Sequence, residues 1–291
     1  MNIAVLGPKG TFSDKVCLEY DKLYNERYGE HLTPVYCSTI DDVFEHVCPK
    51  EDGKVVCELG IVPIENTLDG YVLRTLDLLL EKNVFVVAEN MVSVQFSCIA
   101  NAKGIDDIER LYVQFKANGQ CRSFINSLTN ASVITTESNM ESYYKVGTEK
   151  KSAAIVPAHI AKDVTNELVI SNVTDSDSNY TRFVIFKREE NIEEAISSAI
   201  KSISETKVRI PVCIMPYCDR PGVLYEITKI FFENKINLIS IISRPTKQGM
   251  GNYNFYIEID GLFDRLNIIL SAIEELKKSN DIKILGIYRE Y

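Results

Sequence analysis

Histidine is scarce, at three in 291 residues, and no two cysteines stand in a CxxC spacing. The histidines (His31, His46 and His159) form no ligand cluster with the eight scattered cysteines. That spacing argues against a structural zinc site. No apolar run approaches the roughly 20 residues of a membrane span. The first residues, "MNIAVLGPKGTFS", lack the basic start and apolar stretch of a secretory signal. Reduced thiols and a cytoplasmic location are therefore the expectation. Basic residues are outnumbered, 32 against 41 acidic, for a net charge of −9. A nucleic-acid binder would need a basic face, so none is expected. An anionic ligand would need local donors. Neither GxxxxGK[ST] nor GxGxxG occurs, which removes the commonest nucleotide loops.

What is present alternates. "NIAVLG", "LTPVYCS" and "LGIVPIEN" read as strands, interleaved with helices over "SDKVCLEYDKLYNERYG", "IDDVFEHVC" and "VLRTLDLLLEKN". "VFVVAENMVSVQFSCIA" is extended. Such alternation implies βαβ units and a mostly parallel sheet. The pattern restarts near residue 104, and "LVISNVTD" and "TRFVIFK" are again extended. Two α/β lobes joined by two crossovers would enclose a cleft, the default place for a ligand. Residues 188–206 are charged and serine-rich, yet Ile192, Ala195, Ile196, Ala199, Ile200 and Ile203 fall at helical spacing. This stretch is an amphipathic helix or a linker. From 207 to 291 the order is βαββαβ, with a turn at Gly249-Met250-Gly251 and one last strand over "IKILGIYREY". That order is ferredoxin-like, and so small a unit is expected to pair with a copy of itself.

Four segments carry candidate chemistry. In "GPKGTFS", Thr11 or Ser13 caps the next helix, whose free N–H groups favour an anion. Glu65, Asn66 and Thr67 end a central strand, where open α/β sheets bind ligands. The plainer alternative is that Asn66 and Thr67 cap the helix that follows. Gln120 and Cys121 sit near a helix start without a local histidine, so the thiol reads as packing rather than as a nucleophile. In "SDSNYTRFVIF", Thr181 and Arg182 stand at the mouth of a buried strand, where polar groups cost desolvation unless something binds them. Adjacent strand residues face opposite ways. Thr181 is therefore placed in the cleft and Arg182 in a supporting role, although its fork suits a carboxylate.

"GPKGTFSD", "PIENTLDGYVLRTLDLL", "QC" and "NYTRF" occur in the order of the signature segments of prephenate dehydratases, and "RPGVLYEI" with "INLISIISRP" resembles their ACT regulatory domain. The resemblance spans nearly the whole chain. It implies a type II periplasmic-binding-protein-like catalytic domain over 1–187 and an ACT domain over 207–291. It also implies conversion of prephenate to phenylpyruvate in phenylalanine biosynthesis, without metal or organic cofactor. Carried over by position, Thr181, Asn66 and Gln120 would be catalytic, and Thr11, Ser13, Glu65, Thr67 and Arg182 would bind substrate. L-Phenylalanine would bind at Gly222, Val223, Leu224, Asn237, Leu238 and Ser243 in a homodimer or homotetramer. Arogenate dehydration, non-aromatising prephenate decarboxylation and a non-catalytic sensor are the alternatives. Two departures stand out: Val113-Gln114-Phe115 replaces the family's Ser-His-Pro, and Ile242 replaces the glutamate of Glu-Ser-Arg-Pro.

Overall fold

A computed structural model describes residues 1–50, 53–147, 149–203, 207–218, 220–246 and 252–289. The turn expected at Gly249-Met250-Gly251 lies outside them.

In the first lobe β1 (Asn2–Leu6), β2 (Thr33–Cys37) and β3 (Leu59–Asn66) alternate with α1 (Phe12–Tyr28) and α2 (Ile40–Val47). α1 begins where the Thr11 hydroxyl accepts from Asp14 N at 3.3 Å. It ends at Gly29, whose φ of 71° is the left-handed cap that glycine adopts without penalty. β4 (Gly70–Tyr71), α3 (Leu73–Glu81) and β5 (Val84–Ser93) complete this stretch. The second lobe holds β6 (Phe96–Ala100), β7 (Arg110–Gln114), α4 (Phe115–Gln120), α5 (Arg122–Ser127), β8 (Ser132–Thr136), α6 (Asn139–Val146), β9 (Ser152–Pro157) and β10 (Leu168–Ile170). The chain then returns to the first lobe as β11 (Tyr180–Arg188).

The first sheet runs β2-β1-β3-β11-β5 with β4 beside β3, and the second runs β10-β6-β9-β7-β8. Each is parallel on one side only. The expectation of a mostly parallel sheet is thus corrected: β5, β6, β10 and β11, the strands at the two crossovers, pair antiparallel. The fold is the two-lobed, type II periplasmic-binding-protein-like one.

α7 (Ile192–Ser202) occupies the connecting segment and lays Ala195, Ile196 and Ala199 against Phe85 and Val87 of β5. The C-terminal unit follows with β12 (Lys207–Pro216), α8 (Val223–Glu233), β13 (Asn237–Pro245), β14 (Tyr253–Leu262), α9 (Leu266–Leu276), β15 (Asn280–Ile284) and β16 (Tyr288–Arg289). Its sheet order, β13-β14-β12-β15, is the ferredoxin-like one. The single last strand expected from sequence is split, because Leu285 turns to accept from Val86 N of β5 at 2.7 Å. Gly286 is needed there, since a Cβ on it would stand 2.6 Å from the Val86 carbonyl oxygen.

This unit docks on the first lobe over a shared core that includes Val86, Val184, Phe186, Tyr256, Leu285 and Tyr288. Ile242, at the family's glutamate position, packs against that core. Polar clamps flank it. The Arg244 guanidinium forks onto both Asp77 oxygens at 2.9 and 2.8 Å. The Lys283 ammonium donates to the carbonyls of Leu79, Leu80 and Lys82 at 2.5–3.0 Å, closing the C-terminus of α3. Both grips fall on the helix that follows the Asn66 turn.

Candidate active site

The two crossovers lie side by side: Val94 N donates to Asn179 O at 2.8 Å, and Phe96 N to the Thr174 hydroxyl at 2.8 Å. β11 leaves this hinge with Thr181 opposite Asn66 and Arg182 opposite Glu65 in the ladder to β3. Strand alternation then sends Thr181 and Asn66 to one face, and Arg182 and Glu65 to the other.

On the first face the hydrogen bonds have a fixed direction. Asn66 Oδ1 accepts from Leu68 N at 2.9 Å and Asp69 N at 3.0 Å. A backbone N–H can only donate, so the side-chain amide cannot be turned round. Asn66 Nδ2 therefore donates to Thr181 Oγ1 and Asn179 Oδ1, both at 2.9 Å, and to Tyr180 O at 3.0 Å. Asn179, fully buried, must in turn present its Nδ2 to Gln120 Oε1, at 2.9 Å. Two consequences follow. Thr181 Oγ1 is an acceptor within this network, and among the described residues its proton has no partner. Gln120 is left with its Nε2 donors pointing away from Asn179. A half-buried hydroxyl and an amide are thus the two ends of a network that joins the lobes, each with a proton left to offer.

Gln120 lines an open cavity of about 630 Å³ with Leu68, Asp69, Phe115, Lys116 and Arg122. Lys116 Nζ stands 3.8 Å from Asp69 across the lobes. Two cations in a chain of net charge −9 are the local donors that an anionic ligand needs.

Other expected residues are placed differently. Arg182 and Glu65 were expected among the substrate contacts, and this is corrected. Arg182 is 8% exposed, and its guanidinium is taken up by Glu65, Glu89 and Glu258 at 2.7–3.2 Å. Its fork does meet carboxylates, but they are the protein's own. Asn66 and Thr67 do not cap α3, which starts at Leu73 without a side-chain cap. Thr67 instead donates to Ser178 O at 2.9 Å and accepts from Tyr180 N at 3.0 Å, pinning the approach to β11. Its hydroxyl is consumed by that task. Thr11 is occupied in capping α1 and in donating to Leu6 O at 3.4 Å, and Ser13 is buried in the first turn of α1. The turn itself reaches the second lobe, where His159 Nε2 meets Gly10 O at 3.0 Å.

Gln120 ends α4, and Cys121 joins α4 to α5, so the single helix expected here is broken. Cys121 is buried, and burial, reinforced by the Asp175 charge, pushes its thiol up to about 12. Asp175 itself caps α5, accepting from Arg122 N and Ser123 N at 2.7 and 3.0 Å. A thiol so raised is no nucleophile at neutral pH. Of the replaced Ser-His-Pro, Val113 is core, Gln114 caps α4 by accepting from Lys116 N at 2.8 Å, and Phe115 projects into the cavity mouth, 75% exposed.

Sequence reasoning missed Asn179, Lys116 and Arg122. Asn179 stands in the quoted "NYTRF", and the two cations flank Gln120 in "FKANGQCR".

In the C-terminal unit, Gly222 (φ 94°), Val223 and Leu224 open α8, while Asn237 and Leu238 open β13 and Ser243 lies near its end. α8 has 11 residues, about 16 Å of helix. Its two ends, and hence Gly222 and Asn237, are kept apart within one copy.

The profile of the prephenate dehydratase family matches residues 3–191, and that of the ACT domain matches residues 218–277. The bifunctional chorismate mutase/prephenate dehydratase of Aquifex aeolicus is 31% identical over 291 residues, covering 99% of this chain and 73% of that protein. The prephenate dehydratase of Methanocaldococcus jannaschii is 30% identical, covering 99% of this chain and 98% of its own. The crystal structure of the Staphylococcus aureus prephenate dehydratase superposes with a TM-score of 0.78 at 26% identity, covering 99% of this chain and all of that one.

Proposed function

The chain belongs to the prephenate dehydratase family, and from that premise we infer that its cleft converts prephenate to phenylpyruvate, CO₂ and water for phenylalanine synthesis. The observation that carries this reading is the direction of the Asn66–Thr181 hydrogen bond. It frees the Thr181 proton for the ring hydroxyl that must leave. As the C1–carboxylate bond breaks, its electron pair enters the ring and the C4–oxygen bond releases hydroxide, which a proton turns into water. Aromatisation supplies the driving force, so the protein need only orient the substrate and hydrogen-bond the departing oxygen. Gln120 Nε2 offers a second donor. Lys116 and Arg122 are suited to the pyruvyl carboxylate, whereas the carboxylate lost as CO₂ is better left without a cation.

Regulation by L-phenylalanine belongs to the same reading. Gly222 to Leu224 and Asn237 to Leu238 stand at opposite ends of α8, so one ligand can touch both only when a second copy supplies one of them. Among the described residues β13 is an end strand of its sheet, and Ile239 and Ile241 on it and Leu224 and Tyr225 on α8 are exposed. An unpaired edge with apolar neighbours suits pairing between copies.

One experiment tests both halves. Purified protein given prephenate is expected to release phenylpyruvate, identified by mass, with the rate falling as phenylalanine is added. No product, together with a thermal shift on adding prephenate, would mark a binding protein instead. A product that keeps a non-aromatic ring would mark a decarboxylase.

A further inference from the structure

Behind Thr181, on the face turned from the cleft, four acidic and basic side chains meet away from water. Arg182 is 8% exposed, Glu89 5%, Arg209 8% and Glu258 0%. Arg182 and Glu89 come from β11 and β5 of the catalytic sheet, whereas Arg209 and Glu258 come from β12 and β14 of the C-terminal unit. Glu258 takes both terminal nitrogens of Arg182, Nη1 at 2.9 Å and Nη2 at 2.7 Å. Its two oxygens also accept from Tyr256 Oη at 2.8 Å and Tyr71 Oη at 3.1 Å. Four donors on one carboxylate leave it a single orientation.

We propose that Glu258 is a positioning residue for the dehydration: through Arg182 it fixes the strand from which Thr181 projects into the cleft. The proposal rests on the role given to Thr181 above. Three features of the fold support it. Thr181 and Arg182 are neighbours, and their partners across the ladder, Asn66 and Glu65, are neighbours too. One grip on Arg182 and Tyr71 therefore holds both strands of the site from behind, because Tyr71 pairs with Glu65. The ladder itself is weak at this point. Pairing of β11 with β3 slips between Arg182 and Phe183, and Pro63, opposite Phe183, has no N–H to give. β5 holds the other edge of β11 in regular register there, so the side-chain anchor completes what one ladder leaves open. Finally, Glu65 and Glu89 lie within the catalytic sheet, whereas Glu258 belongs to the sheet of the C-terminal unit. The geometry at Thr181 thus depends on how that unit is seated. Glu258 also faces Ser240 across a second register slip, two residues from Leu238, where the effector is expected.

The test uses full-length protein and Glu258→Gln, which keeps shape and loses charge. With prephenate, kcat is expected to fall by about 10- to 100-fold while KM stays within about twofold. Arg182→Lys, which keeps charge and loses the fork, is expected to show the same loss. The double variant should lose little more than either single one, as members of one pair do. Hydrogen exchange gives a readout without activity: peptides over 60–69 and 178–186 should exchange faster in either variant, with 132–146 in the second lobe unchanged. Wild-type kcat and exchange in folded Glu258→Gln would overturn the proposal. So would losses that multiply in the double variant, or faster exchange throughout the chain. If wild-type protein leaves prephenate untouched, the functional reading falls, and exchange over 178–186 still decides the positioning.

Discussion

Thr181→Val is expected to lower prephenate turnover by about 10²- to 10⁴-fold, the usual worth of a positioned acid or donor. Valine has the shape of threonine, and the backbone pairing of Thr181 with Asn66 and Val92 needs no hydroxyl. Asn66 Nδ2 loses one acceptor and keeps Asn179 Oδ1 and Tyr180 O. Folding is therefore spared, and only the hydroxyl proton disappears. Serine at the same position restores that donor and should recover much of the rate. Measured kcat for the valine and serine variants, beside unchanged near-ultraviolet circular dichroism, checks this. Valine turning over like the wild type would remove Thr181 from the mechanism.

Arg182→Met has a different signature. It takes the cation from among Glu65, Glu89 and Glu258 and leaves buried carboxylates short of their partner. Breaking a buried pair in this way costs about 3–5 kcal/mol. The cost falls between the catalytic sheet and the C-terminal unit, so Tm should drop by on the order of 10 °C. Arg209 offsets part of the loss through its own contact with Glu89 at 3.0 Å. The Arg220–Glu226 pair gives the contrast. Its side chains are 50% and 54% exposed, and water screens and solvates both ends. Arg220→Met should leave the melting curve where it was. Equal effects from the two substitutions would mean that the buried cluster does not hold the units together.

Much of this was legible in the sequence, for reasons that differ from place to place. "NIAVLG" and "LGIVPIEN" are strands because continuous apolar runs suit a sheet covered on both faces. The βαββαβ order of the C-terminal unit follows from periodicity alone. Strand alternation was enough to part Thr181 from Arg182. What periodicity does not carry is the partner of a polar side chain. Glu258 lies 76 residues from Arg182, and nothing local to either marks the pair. Asn66 and Thr67 looked like helix caps because a helix follows. The turn at Leu68 and Asp69 and the short strand at Gly70–Tyr71 intervene, and both side chains reach across to residues 178–181. Cys121 shows the same limit from the other side. A helix N-terminus ordinarily lowers a thiol, but Asp175, far along the chain, has taken those N–H groups and adds its own charge.

The direction of one hydrogen bond carries the account, and Asn66→Asp tests it with almost no change of shape. The new carboxylate still accepts from Leu68 N and Asp69 N, but its second oxygen can only accept. Thr181 must then turn its proton inward, and Asn179 must present its amide to residue 66, which reverses Gln120 as well. A folded variant with kcat lowered by about 10²-fold or more, the cost of losing a preorganised donor, is the predicted result. A folded variant that releases phenylpyruvate at the wild-type rate would contradict it.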